Sequence, residues 1–347
     1  MLKFLFKCSV AIVFPVVLVL LSSAAYVTSV LNKPLQLNDN EVIFILPPGT
    51  GFSTAINQAE TDGWLDDSTA LKIYGRLFPG AAQIRAGEYR LLQGITIGEW
   101  LTKMREGQVV RRKLTLVEGW RLSEVLRLLN QHALLDGEII GDGPELWQQL
   151  QIESPLAASP EGLMFPDTYD FQRGDSPESI LRRAYQRMLA VLDEEWQTRA
   201  VGLPYESPYE ALIMASIIEK ETGVAAERGT IAGVFVRRLQ KGMLLQTDPT
   251  IIYGLGESFD GNLRSRHLRD DDNPYNTYAH RGLPPTPIAL AGREAIHAAL
   301  HPEPGDALYF VARGDGSHQF SATLAEHEAA VRQYQLQRRK DYRSAPQ

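Results

Sequence analysis

Two glutamates at the end of one apolar segment are the residues best suited to acid–base chemistry. The stretch Ala211 to Gly223, ALIMASIIEKETG, is apolar through Ile218 and then carries Glu219, Lys220 and Glu221. Burying an unpaired carboxylate is costly unless a partner or a shifted pKa relieves it. On a helix turning about 100° per residue, Glu219 shares a face with Leu212, Ala215 and Ser216. Glu221 lies about 160° away, near Glu210, Met214 and Ile217. The small side chains one turn below Glu219 leave room for a ligand, and those below Glu221 do not. Glu219 also sits in the last turn, where the negative end of the helix dipole disfavours an anion. Apolar neighbours and the dipole together raise its pKa, the condition for a general acid at neutral pH. The alternative is a partly solvated helix-end residue paired with Lys220 or Arg228. Glu221 reads as a surface or structural residue.

Polar and aromatic residues gather downstream of this segment. KGMLLQTDPTIIYGLG and NPYNTYAHRGLPPTPIALAG place Gln246, Thr247, Asp248, Asn276 and Thr277 among Tyr253, Tyr275 and Tyr278. Such a mixture suits a sugar, whose faces are apolar and whose edges are hydroxyls. With Ser216, these residues other than Thr277 are the candidate substrate contacts. Equally, proline-rich loops use Asn, Asp and Tyr to satisfy their own backbone. The histidines show no HExxH or similar ligand spacing. His297 and His301 are four apart and so could share a helix face, but no carboxylate accompanies them at metal spacing and Pro302 follows at once, so no metal site is expected. No GxSxG, P-loop or dinucleotide fingerprint occurs, and no cofactor is expected.

The elements that must position these groups carry local signals. Ser207, Pro208 and Glu210 mark a helix start, and Gly223 a helix end, which predicts a helix from Pro208 to about Thr222. A longer helix is predicted from about Ser176 to Arg199. Near the N-terminus, Glu41 to Leu46 and Gly87 to Leu92 read as strands around helices starting near Thr50 and Asp67. The order strand, helix, helix, strand after a PPGT turn resembles the LysM module, which binds N-acetylglucosamine-containing glycans. A spacer role for this part is the alternative. The unit strand, glycine turn, helix then recurs in GEYRLLQGITIGEWLTKMREGQ and KLTLVEGWRLSEVLRLLNQ. Thr96, with Glu99 completing a capping box, and Ser123 are the expected N-caps there.

The chain of 347 residues is long enough for two sizeable cores. Its net charge of -7 argues against a nucleic-acid partner. From Cys8 to Leu31 no charged residue occurs, and a helix needs about 20 such residues to cross a bilayer. Lys3 and Lys7 precede this run, so residues 1–7 stay in the cytoplasm and the body is exported. A cleaved signal peptide is the alternative. Cys8 is the only cysteine, so the exported part has neither disulfides nor a thiolate nucleophile.

Taken together, ASIIEKETGVAAERGTIAGVFVRRLQKGMLLQTDPTIIYGLG, EGLMFPDTYDF and NPYNTYAHRGLPPTPIALAG closely resemble the endolytic murein transglycosylase family, the MltG or YceG-like lytic transglycosylases. The motifs follow the family's order, and the resemblance runs from the anchor to about Gln335. It implies an α+β protein with a transmembrane anchor at 8–31, a LysM-like βααβ subdomain at 41–110 and a larger mixed α+β catalytic domain at 111–340. The first Glu of the family's ASI-x-E-K-E-T motif is its essential acid and corresponds to Glu219. The implied reaction is non-hydrolytic cleavage of the β-1,4 bond between N-acetylmuramic acid and N-acetylglucosamine within nascent peptidoglycan strands, leaving a 1,6-anhydro end. The implied partners are glycan strands and penicillin-binding synthases, and the implied place is the inner membrane with the body outside the cytoplasm. The competing readings are a hydrolytic muramidase, with Asp248 as a second carboxylate, and a membrane-anchored scaffold without chemistry.

Overall fold

The computed structural model describes residues 17–18, 21–221 and 223–336, which form a mixed α+β chain with three two-stranded sheets. Residues 8–16 and 19–20 of the expected anchor lie outside the described residues. Among the described residues no helix is long and apolar enough to cross a membrane. The chain divides into two compact units. One runs through Arg112 and takes back residues 170–174, and the other comprises 113–169 and the chain from Asp175 onward.

In the first unit, β1 (Glu41–Leu46) pairs antiparallel with β2 (Gly87–Leu92), with Phe44 opposite Tyr89. Alternation along β1 turns Phe44 and Leu46 inward and leaves Ile43 and Ile45 exposed. Helices α1 (Phe52–Thr61) and α2 (Thr69–Leu77) lie between the strands in sequence, giving the βααβ order. α3 (Ile97–Glu106) follows β2 and opens on a capping box in which Thr96 and Glu99 exchange hydrogen bonds. Phe44 packs edge-on against Trp64 and Trp100, with ring centroids 5.7 and 5.5 Å apart, at the centre of this core. Glu88 is buried, and Arg112 and Arg173 both pair with it. These two cations relieve the cost of burying its charge.

The second sheet consists of β3 (Arg112–Thr115) and β4 (Thr168–Phe171). α4 (Leu122–Asn130) begins one residue before the expected cap Ser123, which falls in its first turn. The N-cap is Arg121, whose amide is taken by the Glu124 carboxylate at 2.8 Å, and the Leu122 amide is taken by Glu161 at 3.0 Å. With both amides satisfied by carboxylates, a serine cap is not needed.

The core of the second unit is helical. α5 (Pro177–Gln197) is capped by Ser176, which accepts from the Ser179 amide. α6 (Pro208–Glu221) is buried at every position from Ala211 to Ile218, as its unbroken apolar run requires. α7 (Arg228–Gln240) and α8 (Asp248–Leu255) come next. α9 (Arg293–Leu300) packs on α6, α7 and α5, so α6 is enclosed. A hairpin of β5 (Tyr309–Ala312) and β6 (His318–Ser321) precedes α10 (Leu324–Val331). Arg238, buried on α7, donates to the carbonyls of Leu244, Leu245 and Leu308 and fixes both chain segments.

Candidate active site

α6 is what places the two glutamates. Ser207 accepts from the Glu210 amide at 3.3 Å and starts the helix, which runs to Glu221. The side chain of Glu219 is only 7% exposed. Its Oε2 accepts a hydrogen bond of 3.0 Å from the Gly292 amide, at the N-cap of α9. Its Oε1 lies 3.8 Å from Arg228 Nη2. Lys220 donates to the Gly119 carbonyl at 3.1 Å.

Burial is the largest influence on the Glu219 carboxyl and raises its pKa, and the charge of Glu118 adds to the rise. The Gly292 amide, Arg228 and Lys220 oppose it without reversing it. The pairing with Arg228 is therefore real, yet it does not make Glu219 an ordinary solvated helix-end acid. A buried carboxyl with a raised pKa, one amide donor and one cation nearby has the properties of a proton donor that can also hold the resulting anion.

The room expected below Glu219 is filled. Ser216 is fully buried, donating to the Ile213 carbonyl at 2.7 Å and accepting from the Ile288 amide at 3.0 Å. Residues 288–291 are buried there. The small face of α6 thus admits another backbone segment, the one that carries Gly292 to Glu219. The strap Glu118-Gly119-Trp120 is tied to the same segment, with the Gly119 amide donating to Leu290 O and the Leu290 amide to Trp120 O. A Cβ built on Gly292 would stand 2.0 Å from Glu118 Oε1, so glycine lets these groups crowd together.

Glu221, on the other side of α6, accepts from the Thr247 hydroxyl. Burial pushes its carboxyl up to about 7, against the lowering by Thr247, and the charge of Asp248 pushes the same way. It is a structural residue inside the fold, not one on the surface.

The loop residues divide into three groups. Thr247 and Asn276 are buried: the Thr247 amide donates to the Thr277 hydroxyl and its carbonyl accepts from the Thr250 hydroxyl, and the Asn276 side-chain amide donates to the carbonyls of His267, Leu268 and Asp270. Asp248 accepts from the Tyr278 hydroxyl at 2.8 Å, and Gln246, with φ +53, accepts from Arg238. Tyr253 and Tyr275 pack with ring centroids 4.7 Å apart, and Tyr275 meets Thr286 at 2.9 Å. Of the expected sugar contacts, Ser216 and Asn276 are buried and bond to backbone, and Thr247 is buried with its hydroxyl on Glu221. Gln246 and Asp248 are exposed, and Tyr253, Tyr275 and Tyr278 are partly accessible.

Sequence reading missed Glu161, which heads the EGLMFPDTYDF stretch. It is buried and accepts from the amides of Leu122 and Gly162 and from the Tyr253 hydroxyl at 3.1 Å. Burial pushes its carboxyl up to about 7, although the Leu122 amide, the Tyr253 hydroxyl, the Gly162 amide and Arg121 all favour the anion. Arg121 lies over the Tyr253 ring, 5.0 Å from its centroid. Sequence reading also missed Glu195. This α5 residue, 102 positions from His297, brings a carboxylate to His297 and His301.

A buried carboxyl with a raised pKa, enclosed by helices of a mixed α+β unit, is what the geometry offers for acid–base chemistry. The chain belongs to the YceG-like family, whose model matches residues 44–333. An endolytic murein transglycosylase of Bacillus subtilis (strain 168) is 31% identical over 325 residues, covering 88% of each chain. An endolytic murein transglycosylase of Streptococcus pneumoniae (serotype 2, strain D39) is 25% identical over 364 residues, covering 92% of this chain and 64% of that one. The present chain thus spans under two thirds of the pneumococcal relative. The crystal structure of a yceG-like protein from Listeria monocytogenes aligns with 83% of this chain and 98% of its own, at 29% identity and a TM-score of 0.49.

Proposed function

We propose that this chain is a lytic transglycosylase that cuts peptidoglycan strands internally, and that Glu219 is its acid and base. The observation that carries the role of Glu219 is a 7%-exposed carboxyl with a raised pKa, bonded to a backbone amide. The activity itself is supported by membership of the family and by two relatives bearing that name.

Protonated Glu219 gives its proton to the glycosidic oxygen as the bond from muramyl C1 breaks. The muramyl C6 hydroxyl attacks C1, and the Glu219 carboxylate takes the hydroxyl proton. The products are a free N-acetylglucosamine 4-hydroxyl and a 1,6-anhydromuramyl end, and Glu219 is again protonated. Because the nucleophile belongs to the substrate, the second carboxylate of an ordinary glycosidase is not needed. Gln246, Asp248, Tyr253, Tyr275 and Tyr278 remain the proposed sugar contacts. An anchor at 8–31, a LysM-like glycan-binding part at 41–110, a catalytic part at 111–340 and association with penicillin-binding synthases complete the proposal.

The test is mass analysis of glycan strands after digestion. An anhydro end lacks the water that a reducing end contains, and Glu219→Gln should produce neither. A dominant reducing-end product would instead establish a hydrolytic muramidase. Asp248, the acid suspected for that reaction, is bonded to Tyr278, and its charge bears on Glu221.

A further inference from the structure

We infer that Glu195, His297 and His301 form a binding site for a divalent transition-metal ion, zinc by its donor set. Glu195 lies in the last turn of α5, and His297 and His301 are one turn apart at the end of α9, with His301 as its C-cap. Residues four apart on a helix share a face. Glu195 Oε2 stands 2.8 Å from His297 Nδ1, and each of the three residues offers a ligand atom within 4.8 Å of the other two. The imidazole rings lie face to face, with centroids 4.3 Å apart.

Zinc binds imidazole nitrogen and carboxylate oxygen at about 2.0–2.2 Å, so tetrahedral ligand atoms stand about 3.3–3.5 Å apart. The His297 side chain is 55% exposed and has room to turn, whereas Glu195 is buried and already fixed. Arg293 Nη1 holds Glu195 Oε1 at 2.8 Å and leaves Oε2 to face the histidines. An outer hydrogen bond of this kind orients ligating carboxylates in metal sites generally. Thr198 Oγ1 lies 3.5 Å from His301 Nε2, beside the second ring.

The local field also favours a cation. α5 and α9 both end here, so two negative helix ends converge on the cluster. Glu194 and Glu195 both pair with Arg293. Two imidazoles and one carboxylate select zinc and its neighbours over magnesium or calcium, with a fourth position open to water. The ion would tie α5 to α9 as a structural clip. The inference does not depend on the proposed reaction, because none of these three residues touches Glu219.

The experiment uses the 347-residue chain purified without a polyhistidine tag and stripped with EDTA. Co2+ should then give visible d–d bands at one equivalent per chain. Zn2+ at a hundredfold excess over its Kd should raise Tm by roughly 5 °C, and EDTA should reverse the rise. His301→Ala should lose the bands and the Tm rise while keeping the metal-free Tm. Should that variant fail to fold, His297→Ala, at the more exposed ligand, carries the same expectation. No bands and no Tm rise at millimolar Co2+ or Zn2+ would overturn the inference. Bands of unchanged intensity in both variants would also overturn it by placing the ion on other residues.

Discussion

Replacing Glu161 by glutamine should stabilise the protein at alkaline pH and change it little in acid. The carboxyl of Glu161 is raised from 4.5 to about 7 because burial outweighs the groups that favour its anion. With a folded pKa above the unfolded one, the folded chain binds more protons between those values. Stability is therefore fully present below about pH 4.5 and is lost as pH rises through about 7. At about 1.4 kcal/mol per unit, the whole effect is about 3 kcal/mol, most of which falls between pH 5 and 8. Glutamine does not titrate, and it fits: its oxygen can accept from Leu122 and Gly162, and its amide can donate to the Tyr253 oxygen. Thermal unfolding of both proteins from pH 5 to 8.5 measures the difference. The variant's Tm advantage should grow by roughly 5–10 °C toward the alkaline end. A Tm gap that is constant with pH, or one that closes as pH rises, would refute the assignment of a buried, neutral Glu161.

Three further outcomes follow from the site. Glu219→Gln should lower formation of anhydro ends by about 10²–10⁴-fold with Tm within a few degrees of the parent, read by mass analysis and thermal melts. The alkaline fall of kcat/KM should move in opposite directions in two variants: to lower pH in Glu118→Gln, which removes a charge that raises the Glu219 pKa, and to higher pH in Arg228→Ala, which removes one that lowers it. Shifts of the same sign would count against Glu219 as the titrating acid. Gly162→Ala should cost about 2 kcal/mol or more in urea unfolding, because φ is +74 and a Cβ would meet Pro287 Cβ at 2.3 Å.

What the sequence made legible was local. β1 and β2 begin and end where their apolar and turn residues place them, the Thr96 capping box forms, and α6 starts at Pro208. These features depend on neighbours a few residues away. The face of α6 that carries Glu219 was also readable from helical spacing. The segment that covers it was not, because the Gly292 amide is 73 positions from Glu219. Composition likewise could not distinguish polar groups facing a ligand from those facing their own chain. In the structure the Asn276 side chain bonds to backbone carbonyls and the Thr247 hydroxyl to Glu221. Ser123 failed as a cap because the carboxylate that serves α4 comes from Glu161, 39 positions away from Leu122.

The bond between the Gly292 amide and Glu219 joins two helix ends of opposite polarity. In the proposed reaction one carboxyl must release a proton and recover one within a single turnover. The end of α6 resists the anion while the acid is loaded, and the start of α9 receives the anion once the proton has gone. Opposing fields of this kind act on one carboxyl, so neither of its charge states is favoured by both helix ends. The side chain can then pass back and forth between them without being trapped in either, so each turnover leaves it ready for the next.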